Sequence, residues 1–451
     1  MTSYQERLLR VIPGGAHTYS RGFDQFPSNV PQILDRGEGA YVWDAEGRKY
    51  LDYGMALRAV TLGYAYPPVV EAACEEVRKG NNLPLPSLTE LEAAELIVEL
   101  IPGADMVKFA KNGSNVTTGA AKVARAYTGR RYVCVPRQHP FFSFDDWFIG
   151  TTAITKGIPP EHAQSTLVFD YNDMASLERL FEQHPKQIAA VMLEPATTIV
   201  PCGPDCNQQM SYDRPCACTR EKMTFLHAVQ KLCRAEGALF ILDEMITGFR
   251  WHPRGAQTYF GVDPDMSTFG KGMANGFSVA ALVGRREIMD VGSISREGAE
   301  RTFLLSTTHG AEMSGLRAFI ETVHTYRERD VCRHLWSYGE KLREGLHKIA
   351  AECGVAMQFR LDGPPISMNF VTLDAAGAPS LDFRTLFSQE MACHGVLMSW
   401  IAVSLAHGDA ELNTTFEAAR MTLQVYAKAL NEGVGRYLNG PAVKPVFRRY
   451  N

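Results

Sequence analysis

A lysine and an aspartate stand where their side chains could take part in chemistry. Lys271 lies between Gly270 and Gly272, which clear bulk away and let the backbone bend so that the lysine points into a cleft. A partly desolvated amine has a lowered pKa and can attack a carbonyl, although most lysines are simply solvated. Asp243 follows four apolar residues, so it is expected to end a buried strand and to need a cationic partner there, unless it only caps the strand.

A third element is the run Asn-Gly-Ser-Asn at 112–115, which is a turn that opens directly into a helical pattern. The unpaired amides and the positive dipole end of such a helix suit a phosphate group. An ordinary helix cap has the same residue types, so this signal is weak alone.

Together these residues match the three handles of pyridoxal 5′-phosphate. The aldehyde would form an imine with Lys271, Asp243 would hold the ring nitrogen protonated, and the phosphate would rest on Gly113 and Ser114. A protonated ring nitrogen allows the cofactor to accept electrons when a proton leaves the substrate carbon. The three elements therefore predict a pyridoxal-phosphate site.

The elements that must position these residues form an alternating pattern of helices and strands. Helical patterns cover residues 88–101 and 115–129, and apolar strands are expected at 132–135, 188–194, 238–244 and 279–284. Strands that are apolar on both faces and separated by helices predict an α/β fold with a mainly parallel sheet between helices. Such sheets bind ligands at the carboxyl ends of their strands.

Two domains are expected. Residues 66–314 would form the large cofactor-binding domain, while residues 1–65 and 315–451 would join into a smaller α/β domain. The first segment contains an expected hairpin around Gly47.

Composition points to a small-molecule partner. The 451-residue chain has a net charge of −4 with both signs interspersed, which favours neither nucleic acid nor a basic membrane-binding surface. No apolar run reaches the roughly 18 residues of a membrane span, and the opening residues lack the apolar centre of a signal peptide. The sequence therefore predicts a cytoplasmic protein.

Four cysteines are clustered at Cys202, Cys206, Cys216 and Cys218. Four thiolates in a reducing compartment suit a closed zinc site, but Cys-x3-Cys and Cys-x-Cys differ from the usual two-residue spacing. Zinc, free thiols and disulfides all stay open, and no metal ligand is assigned from the sequence.

The segments "LDEMITGFR" (242–250), "GAQ" (255–257) and "GVDPDMSTFGKGMANGFSVAALVGRREIM" (261–289) resemble class III, fold type I, pyridoxal-phosphate aminotransferases. The resemblance is strongest to the glutamate-1-semialdehyde 2,1-aminomutase branch and covers nearly the whole chain. It implies a seven-stranded type of sheet in the large domain, with Lys271 as imine-forming lysine and general base, and Asp243 as partner of the pyridine nitrogen.

The resemblance implies further site residues. The family's Ser-Gly-Thr phosphate loop corresponds to Asn112-Gly113-Ser114, and Phe141 replaces the tyrosine that stacks on the cofactor ring. Thr307 matches a phosphate-binding threonine supplied by the neighbouring subunit, which implies a homodimer with shared active sites. Thr18 and Arg21 match positions that hold the substrate.

One departure from that branch bears on the reaction. The family's longer, acid-containing loop that retains the intermediate corresponds here to "GVLMSWIAVSLAH" (395–407), which is shorter and contains no acid. The sequence therefore favours amino-group transfer from an amino-acid donor to a separate keto or aldehyde acceptor. Intramolecular amine transfer of the aminomutase type stays the alternative. A nicotinamide dehydrogenase is disfavoured because no G-x-G-x-x-G follows a strand, and a non-catalytic binding protein stays open.

Overall fold

The computed structural model describes residues 3–139, 141–203, 206, 209–216 and 224–451. The chain divides into a small unit, Met1–Tyr66 with His334–Arg448, and a large unit, Pro67–Arg333 with Arg449–Asn451. These bounds come from contacts within each unit, and the domain limits expected at 65/66 and 314/315 stay a prediction.

The strands are numbered along the chain. They are β1 (Leu34–Glu38), β2 (Tyr41–Asp44), β3 (Lys49–Asp52), β4 (Met106–Ala110), β5 (Tyr132–Pro136), β6 (Thr166–Phe169), β7 (Ile188–Leu193), β8 (Leu239–Asp243), β9 (Met266–Phe269), β10 (Ala280–Gly284), β11 (Phe359–Asp362), β12 (Asn369–Thr372) and β13 (Val396–Leu397).

The helices are numbered in the same way among the described residues. They are α1 (Tyr4–Val11), α2 (Met55–Arg58), α3 (Pro67–Arg78), α4 (Leu88–Leu100), α5 (Gly113–Thr128), α6 (Asp146–Ile149), α7 (Pro160–Ala163), α8 (Met174–Gln183), α9 (Phe225–Glu236), α10 (Ala256–Phe260), α11 (Arg286–Met289), α12 (Met313–Arg329), α13 (Val331–Glu352), α14 (Leu381–Cys393) and α15 (Asp409–Glu432). Within the described part of the chain, no helix combines the length and apolar character that a membrane crossing requires.

The large unit is built on a seven-stranded sheet with the order β4-β10-β9-β8-β7-β5-β6. Only β10 runs antiparallel to its neighbours in this sheet, so the predicted mainly parallel arrangement is confirmed. Both β7 and β8 are buried along their whole length, as expected for strands covered on two faces. Their parallel pairing aligns their carboxyl ends at one edge of the sheet.

Helix α5 covers part of this sheet and forms a large share of the core. Its alanines and valines pack with apolar residues of β5, β7 and β8, and those involved include Val116, Ala120, Val133, Ala189 and Ile241. The helix starts because the Asn112 side chain accepts a hydrogen bond from the Asn115 amide, and it ends at Gly129 in the left-handed conformation. The packing of α5 therefore fixes where its N-terminus lies.

The small unit contains a four-stranded sheet with the order β1-β2-β3-β13. The hairpin of β2 and β3 is the one predicted around Gly47, whose φ of +82° suits its turn. Strand β13 pairs in parallel with β3, so residues from both chain ends build one sheet. This arrangement confirms the smaller α/β domain that the sequence predicted from both ends of the chain.

Candidate active site

Asp243 lies at the carboxyl end of β8 and is only 3% exposed. Its Oδ1 accepts hydrogen bonds from the Met245 amide (2.9 Å) and from the Thr268 hydroxyl (3.0 Å). Both of these bonds fall on Oδ1.

The charge state of Asp243 depends on opposing effects. Burial raises the pKa of Asp243 to about 6, while the Met245 amide, the Lys271 ammonium and the Thr268 hydroxyl lower it. Lys271 is therefore close enough to act electrostatically on Asp243.

The backbone at Lys271 is strained. Lys271 has a φ of +42°, which costs a non-glycine residue about 1–2 kcal/mol, and strain of this kind concentrates at functional sites. The left-handed conformation thus falls on the lysine itself, whereas Gly270 has an extended φ of −179°. Gly270 is needed for space instead, because a Cβ there would lie 2.0 Å from Cε of Met245.

The Met245 side chain links this segment with the N-terminus of α5. A Cβ at Gly113 would lie 2.9 Å from the same Cε atom of Met245. Gly113, the first residue of α5, and Gly270, which precedes the lysine, therefore both closely approach one side chain. The amide groups of the first turn of α5 and the lysine segment belong to the same small region of the large unit.

Ser114 is buried in the first turn of α5, and its Oγ accepts a hydrogen bond from the Phe144 amide (3.0 Å). Because that bond uses only a lone pair, the hydroxyl can still donate to an anion. With the N-terminus of a 16-residue helix beside it, the location suits a phosphate.

Phe141 is 43% exposed, and its ring lies edge-on to Phe148 at a centroid distance of 6.2 Å. His139, two residues earlier, is buried, and its Nδ1 accepts a hydrogen bond from the Glu194 amide (3.0 Å). Burial lowers the pKa of His139 to about 3, so the imidazole is neutral at physiological pH. The sequence analysis missed His139, although a polar residue just after strand β5 was a usable signal.

Sequence analysis also missed Thr268, which is paired with Asp243 in the register of β8 and β9. A threonine is common in any strand, so its type carries no signal of this contact. Met245 was missed for a similar reason, because its contacts with two distant glycines arise only in the folded chain.

Thr307 lies in the stretch 293–312, which precedes α12 and contains no strand or helix. Its side chain is exposed, and its carbonyl accepts a hydrogen bond from the Gly310 amide (3.2 Å). An exposed hydroxyl here is compatible with a ligand that another subunit helps to bind.

Thr18 and Arg21 belong to the small unit and are both exposed. They flank a short 3₁₀ turn in which the Arg21 amide donates to the Thr18 carbonyl (2.9 Å). Burial and the carboxylate of Asp52 raise the pKa of Tyr64, and the Arg21 cation opposes this, so Arg21 lies near Tyr64. Tyr64 in turn donates to Asp52 (2.7 Å).

The same part of the small unit contains a second strained segment that the sequence analysis missed. All four residues of α2, Met55–Arg58, have positive φ angles although none is glycine. Asp52 accepts from the Met55 amide (2.8 Å), and the Tyr64 hydroxyl accepts from the Ala56 amide (2.9 Å). These bonds hold a conformation that is costly by itself.

The described cysteines of the cluster converge. The sulfur atoms of Cys202, Cys206 and Cys216 all lie within 4.8 Å of one another, and those of Cys202 and Cys216 are 2.9 Å apart. Cys218 lies outside the described residues.

The residues of the large unit fit pyridoxal 5′-phosphate. Lys271 can reach a carbonyl carbon, Oδ2 of the buried Asp243 can accept from a ring N–H, and the first turn of α5 presents donors to a phosphate. Gly113 and Gly270 both face Met245, and a side chain at either position would clash with it.

Comparison with known proteins gives the same result. Residues 24–200 and 217–404 match the family model described as Aminotransferase class-III. A glutamate-1-semialdehyde 2,1-aminomutase of Thermomicrobium roseum is 33% identical over 446 residues, covering 94% of this chain and 98% of the relative. A protein of the same name from Alkaliphilus metalliredigens is 30% identical over 437 residues, covering 92% and 93%.

Solved structures share the fold. The PLP internal aldimine form of the FumI protein from Sphingopyxis sp. MTA144 has a TM-score of 0.82 and 27% identity, covering 95% of this chain and 97% of that one. An omega-transaminase from Sphaerobacter thermophilus, at 24% identity, has the same fold with a TM-score of 0.78, covering 93% and 96%. The fold is therefore that of fold type I transferases, as predicted. Its family match, its fold and its site together establish that this chain is a pyridoxal-phosphate-dependent enzyme belonging to the class III aminotransferases.

Proposed function

We propose that this enzyme moves an amino group from an amino-acid donor to a separate keto or aldehyde acceptor, with Lys271 and Asp243 as its catalytic residues. The observation that carries the proposal is the arrangement at β8. A buried carboxylate there accepts two hydrogen bonds through Oδ1 and lies in the electrostatic field of Lys271.

Pyridoxal 5′-phosphate, when bound, supplies a ring that withdraws electrons from the substrate carbon as it loses a proton. Lys271 would hold the cofactor through its amine and would move a proton to and from the substrate carbon as a general base. Asp243 would accept from the ring N–H and keep that nitrogen protonated. The ring would then balance the buried negative charge, which removes the cost of burying it alone.

Other residues of the large unit hold the cofactor in place. Gly113 and Ser114 would donate to the phosphate from the first turn of α5, where the helix dipole favours negative charge. Phe141, whose side chain is 43% exposed, would stack on the ring face. Without the phenolic group of the family's tyrosine, Phe141 contributes packing but no hydrogen bond.

Arg21 and Thr18 are proposed to bind the substrate. The guanidinium group matches a carboxylate in a bidentate geometry, and the hydroxyl adds a further donor. Both side chains are exposed in the small unit and so remain accessible.

Transfer to a separate acceptor is favoured by the segment 395–407, which contains no carboxylate to retain an amine. Within the small unit this segment is held in place, because the Ala402 amide donates to the Tyr53 carbonyl and the Leu405 amide to the Thr61 carbonyl, both at 2.7 Å. An intramolecular amine shift on a γ-aldehyde amino acid is the second candidate, since relatives at 30–33% identity are named aminomutases.

Product formation from an aminoaldehyde without any added donor or acceptor separates the two reactions. We expect turnover only when an amino donor and a carbonyl acceptor are both present. Sustained isomerisation by the protein alone would favour the aminomutase reaction.

We also propose a homodimer in which Thr307 of each chain contacts the phosphate bound by the other. Several large apolar side chains are exposed on the large unit, which supports a second subunit that covers them. They include Leu85, Leu88, Ile294 and Phe303. Sedimentation analysis together with Thr307→Ala, which should weaken cofactor binding without dissociating the dimer, tests this arrangement. A cytoplasmic location stays a prediction.

Lys271→Ala tests the central assignment. The variant should lose the visible absorption of the covalently bound cofactor and essentially all activity, whereas Lys108→Ala, at an exposed position of β4, should keep both. Borohydride reduction followed by peptide mass analysis should place the cofactor on Lys271 in the wild type. A Lys271→Ala protein with unchanged absorption and turnover would show that the assignment is wrong.

A further inference from the structure

We propose that Cys202, Cys206 and Cys216 bind a structural Zn²⁺ ion in the segment that follows β7. This site is separate from Lys271 and Asp243 and does not depend on the proposed reaction. Its ligands are thiolates, which zinc accepts readily in tetrahedral sites.

The three sulfur atoms have a spacing suited to one metal ion. Thiolates bound to zinc at about 2.3 Å in a tetrahedron lie roughly 3.8 Å from one another. The sulfur atoms here all lie within 4.8 Å of one another, with one pair at 2.9 Å, so a single ion can bind all three once that pair moves apart by about 0.9 Å. Among the described residues this is the only group of three or more potential ligands that converges in this way.

A disulfide accounts for only two of the three thiols. The closest pair is 2.9 Å apart, which is longer than the roughly 2.05 Å of a disulfide bond, and all three sulfur atoms lie within 4.8 Å of one another. A metal ion uses all three.

The polypeptide around the thiols is arranged by tight turns. The Cys206 amide donates to the Gly203 carbonyl (3.4 Å), the Gln209 amide to the Cys206 carbonyl (3.0 Å), and Ser211 and Arg214 pair through two bonds of 3.2 Å. No strand of the large sheet includes these residues. A short segment of this kind has little apolar core of its own, and a metal ion is a common means of stabilising one.

The segment is also attached to the rest of the large unit around the thiols. The Phe225 amide donates to the Pro201 carbonyl (2.9 Å), Asn172 donates to the Val200 carbonyl (3.0 Å), and the Tyr259 hydroxyl donates to the Ser211 carbonyl (3.0 Å). Cys216 itself is 4% exposed. The thiols therefore meet at the base of the segment, where an ion would join its two ends to the core.

The family match points to the same segment. The class III model covers residues 24–200 and resumes at 217, so the three cysteines lie in the stretch that it omits. The cysteines consequently serve a feature that the common fold lacks. Since the family's chemistry proceeds without this stretch, the ion would stabilise structure and would not take part in amino-group transfer.

Zinc content of the purified holoenzyme tests the proposal. The enzyme is produced without chelators and without a metal-affinity tag, dialysed with equimolar Zn²⁺, freed of excess ion and analysed by mass spectrometry for metals. We expect about one zinc per chain, bound as the thiols release their protons to solvent. Cys216→Ser and Cys202→Ser should each lose at least nine-tenths of it, whereas Cys74→Ser, at an exposed cysteine of α3, should keep it.

A second measurement keeps the proposal testable where a serine variant does not fold. Wild-type enzyme loaded with Co²⁺ should show thiolate-to-metal charge transfer and the strong d–d bands of tetrahedral cobalt at wavelengths beyond the cofactor absorption. Removal of zinc by a chelator should lower the melting temperature by several degrees and increase proteolytic cleavage within 201–216, with the cofactor absorption retained.

Three results would overturn the proposal. The first is that the wild-type enzyme takes up less than one-tenth of a zinc per chain, and the second is that Cys216→Ser retains zinc at the wild-type level. The third is that protein from freshly lysed cells has a disulfide between Cys202 and Cys216, seen as an intact mass lower by two hydrogen atoms.

Discussion

Asp243 and Glu244 are consecutive buried acids at the end of β8, and they enter two different regions of the large unit. Oδ1 of Asp243 accepts from the Met245 amide and the Thr268 hydroxyl, and the carboxylate lies in the field of Lys271. Both oxygens of Glu244 are used: Oε1 accepts from the Gln257 amide (2.7 Å), and Oε2 from the Ala256 amide (2.7 Å) and the Thr247 hydroxyl (2.8 Å).

The difference separates a ligand-binding acid from a structural one. Burial raises the pKa of both carboxyl groups, to about 6 for Asp243 and about 7 for Glu244, so burial and pKa alone do not distinguish them. What distinguishes them is where the acceptor capacity goes. Glu244 uses both oxygens to accept from Thr247 and from the first turn of α10, whereas we propose that Oδ2 of Asp243 accepts from the protonated cofactor ring.

Among the substitutions that test this comparison, Asp243→Asn should have the largest effect, a loss of turnover. The amide oxygen can still accept from Met245 and Thr268, so the fold is retained, but a neutral amide cannot hold the ring nitrogen protonated. We expect the cofactor to remain covalently bound, as its visible absorption would report, while turnover falls about 10³-fold. Wild-type turnover in this variant would contradict the role given to Asp243.

In the cofactor-free protein, Asp243→Asn should increase the free energy of unfolding, although it lowers the turnover of the complete enzyme. The folded-state pKa of Asp243, about 6, lies above its ordinary value of 3.8, so the folded state binds the proton more tightly than the unfolded state. Its stabilising effect is present below pH 4 and is lost as the pH rises through 6. Asp243→Asn should therefore leave stability unchanged near pH 4 and raise it by up to about 3 kcal/mol at pH 7.5.

Urea unfolding of both cofactor-free proteins between pH 4 and pH 8 measures this difference. Saturation with pyridoxal 5′-phosphate should remove or reverse it, because the protonated ring then stabilises the carboxylate. A stability difference that does not vary with pH would mean that Asp243 is not the titrating group.

Glu244→Gln should affect stability and leave the chemistry unchanged. The amide NH₂ of glutamine would face either the Gln257 amide or the donors from Ala256 and Thr247, so at least one buried donor loses its acceptor. We expect a loss of about 2 kcal/mol in the free energy of unfolding. Turnover of the folded enzyme should stay within about threefold of wild type, and a loss comparable with that of Asp243→Asn would erase the distinction.

Much of the fold could be predicted from local sequence. Short apolar runs such as 188–194 and 238–244, which lie between helical patterns, predict buried strands. The end of β8 at Asp243 followed for the same reason. The use of individual oxygen atoms could not be predicted. It depends on the register that places Thr268 opposite Asp243 and on the position of α10 beyond Gly255.

The strain at Lys271 and the convergence of the thiols were equally inaccessible from sequence. Glycines flank Lys271, and local preference would place a positive φ angle on a glycine. In the folded chain the lysine itself has the positive φ angle, and Met245 occupies the space beside Gly270. The separation of Cys202 from Cys216 is set by turns and by bonds to distant residues such as Phe225 and Tyr259. Long-range contacts of this kind leave no periodic signal.

Thr268→Val should give the smallest effect and the finest test of how Asp243 is tuned. Valine keeps the shape of the strand residue but removes the hydroxyl that donates to Oδ1, so the pKa of Asp243 should rise further while the Met245 amide still holds the side chain. We expect turnover to fall about threefold to tenfold, which corresponds to roughly 1 kcal/mol, the net contribution of a typical hydrogen bond. Ser267→Ala is a matched control, because the neighbouring hydroxyl donates to Gln257 on the other face of the strand and should leave turnover unchanged. Equal losses in both variants would mean that β9 acts through packing alone, and the contact between Thr268 and Asp243 would then have no catalytic importance.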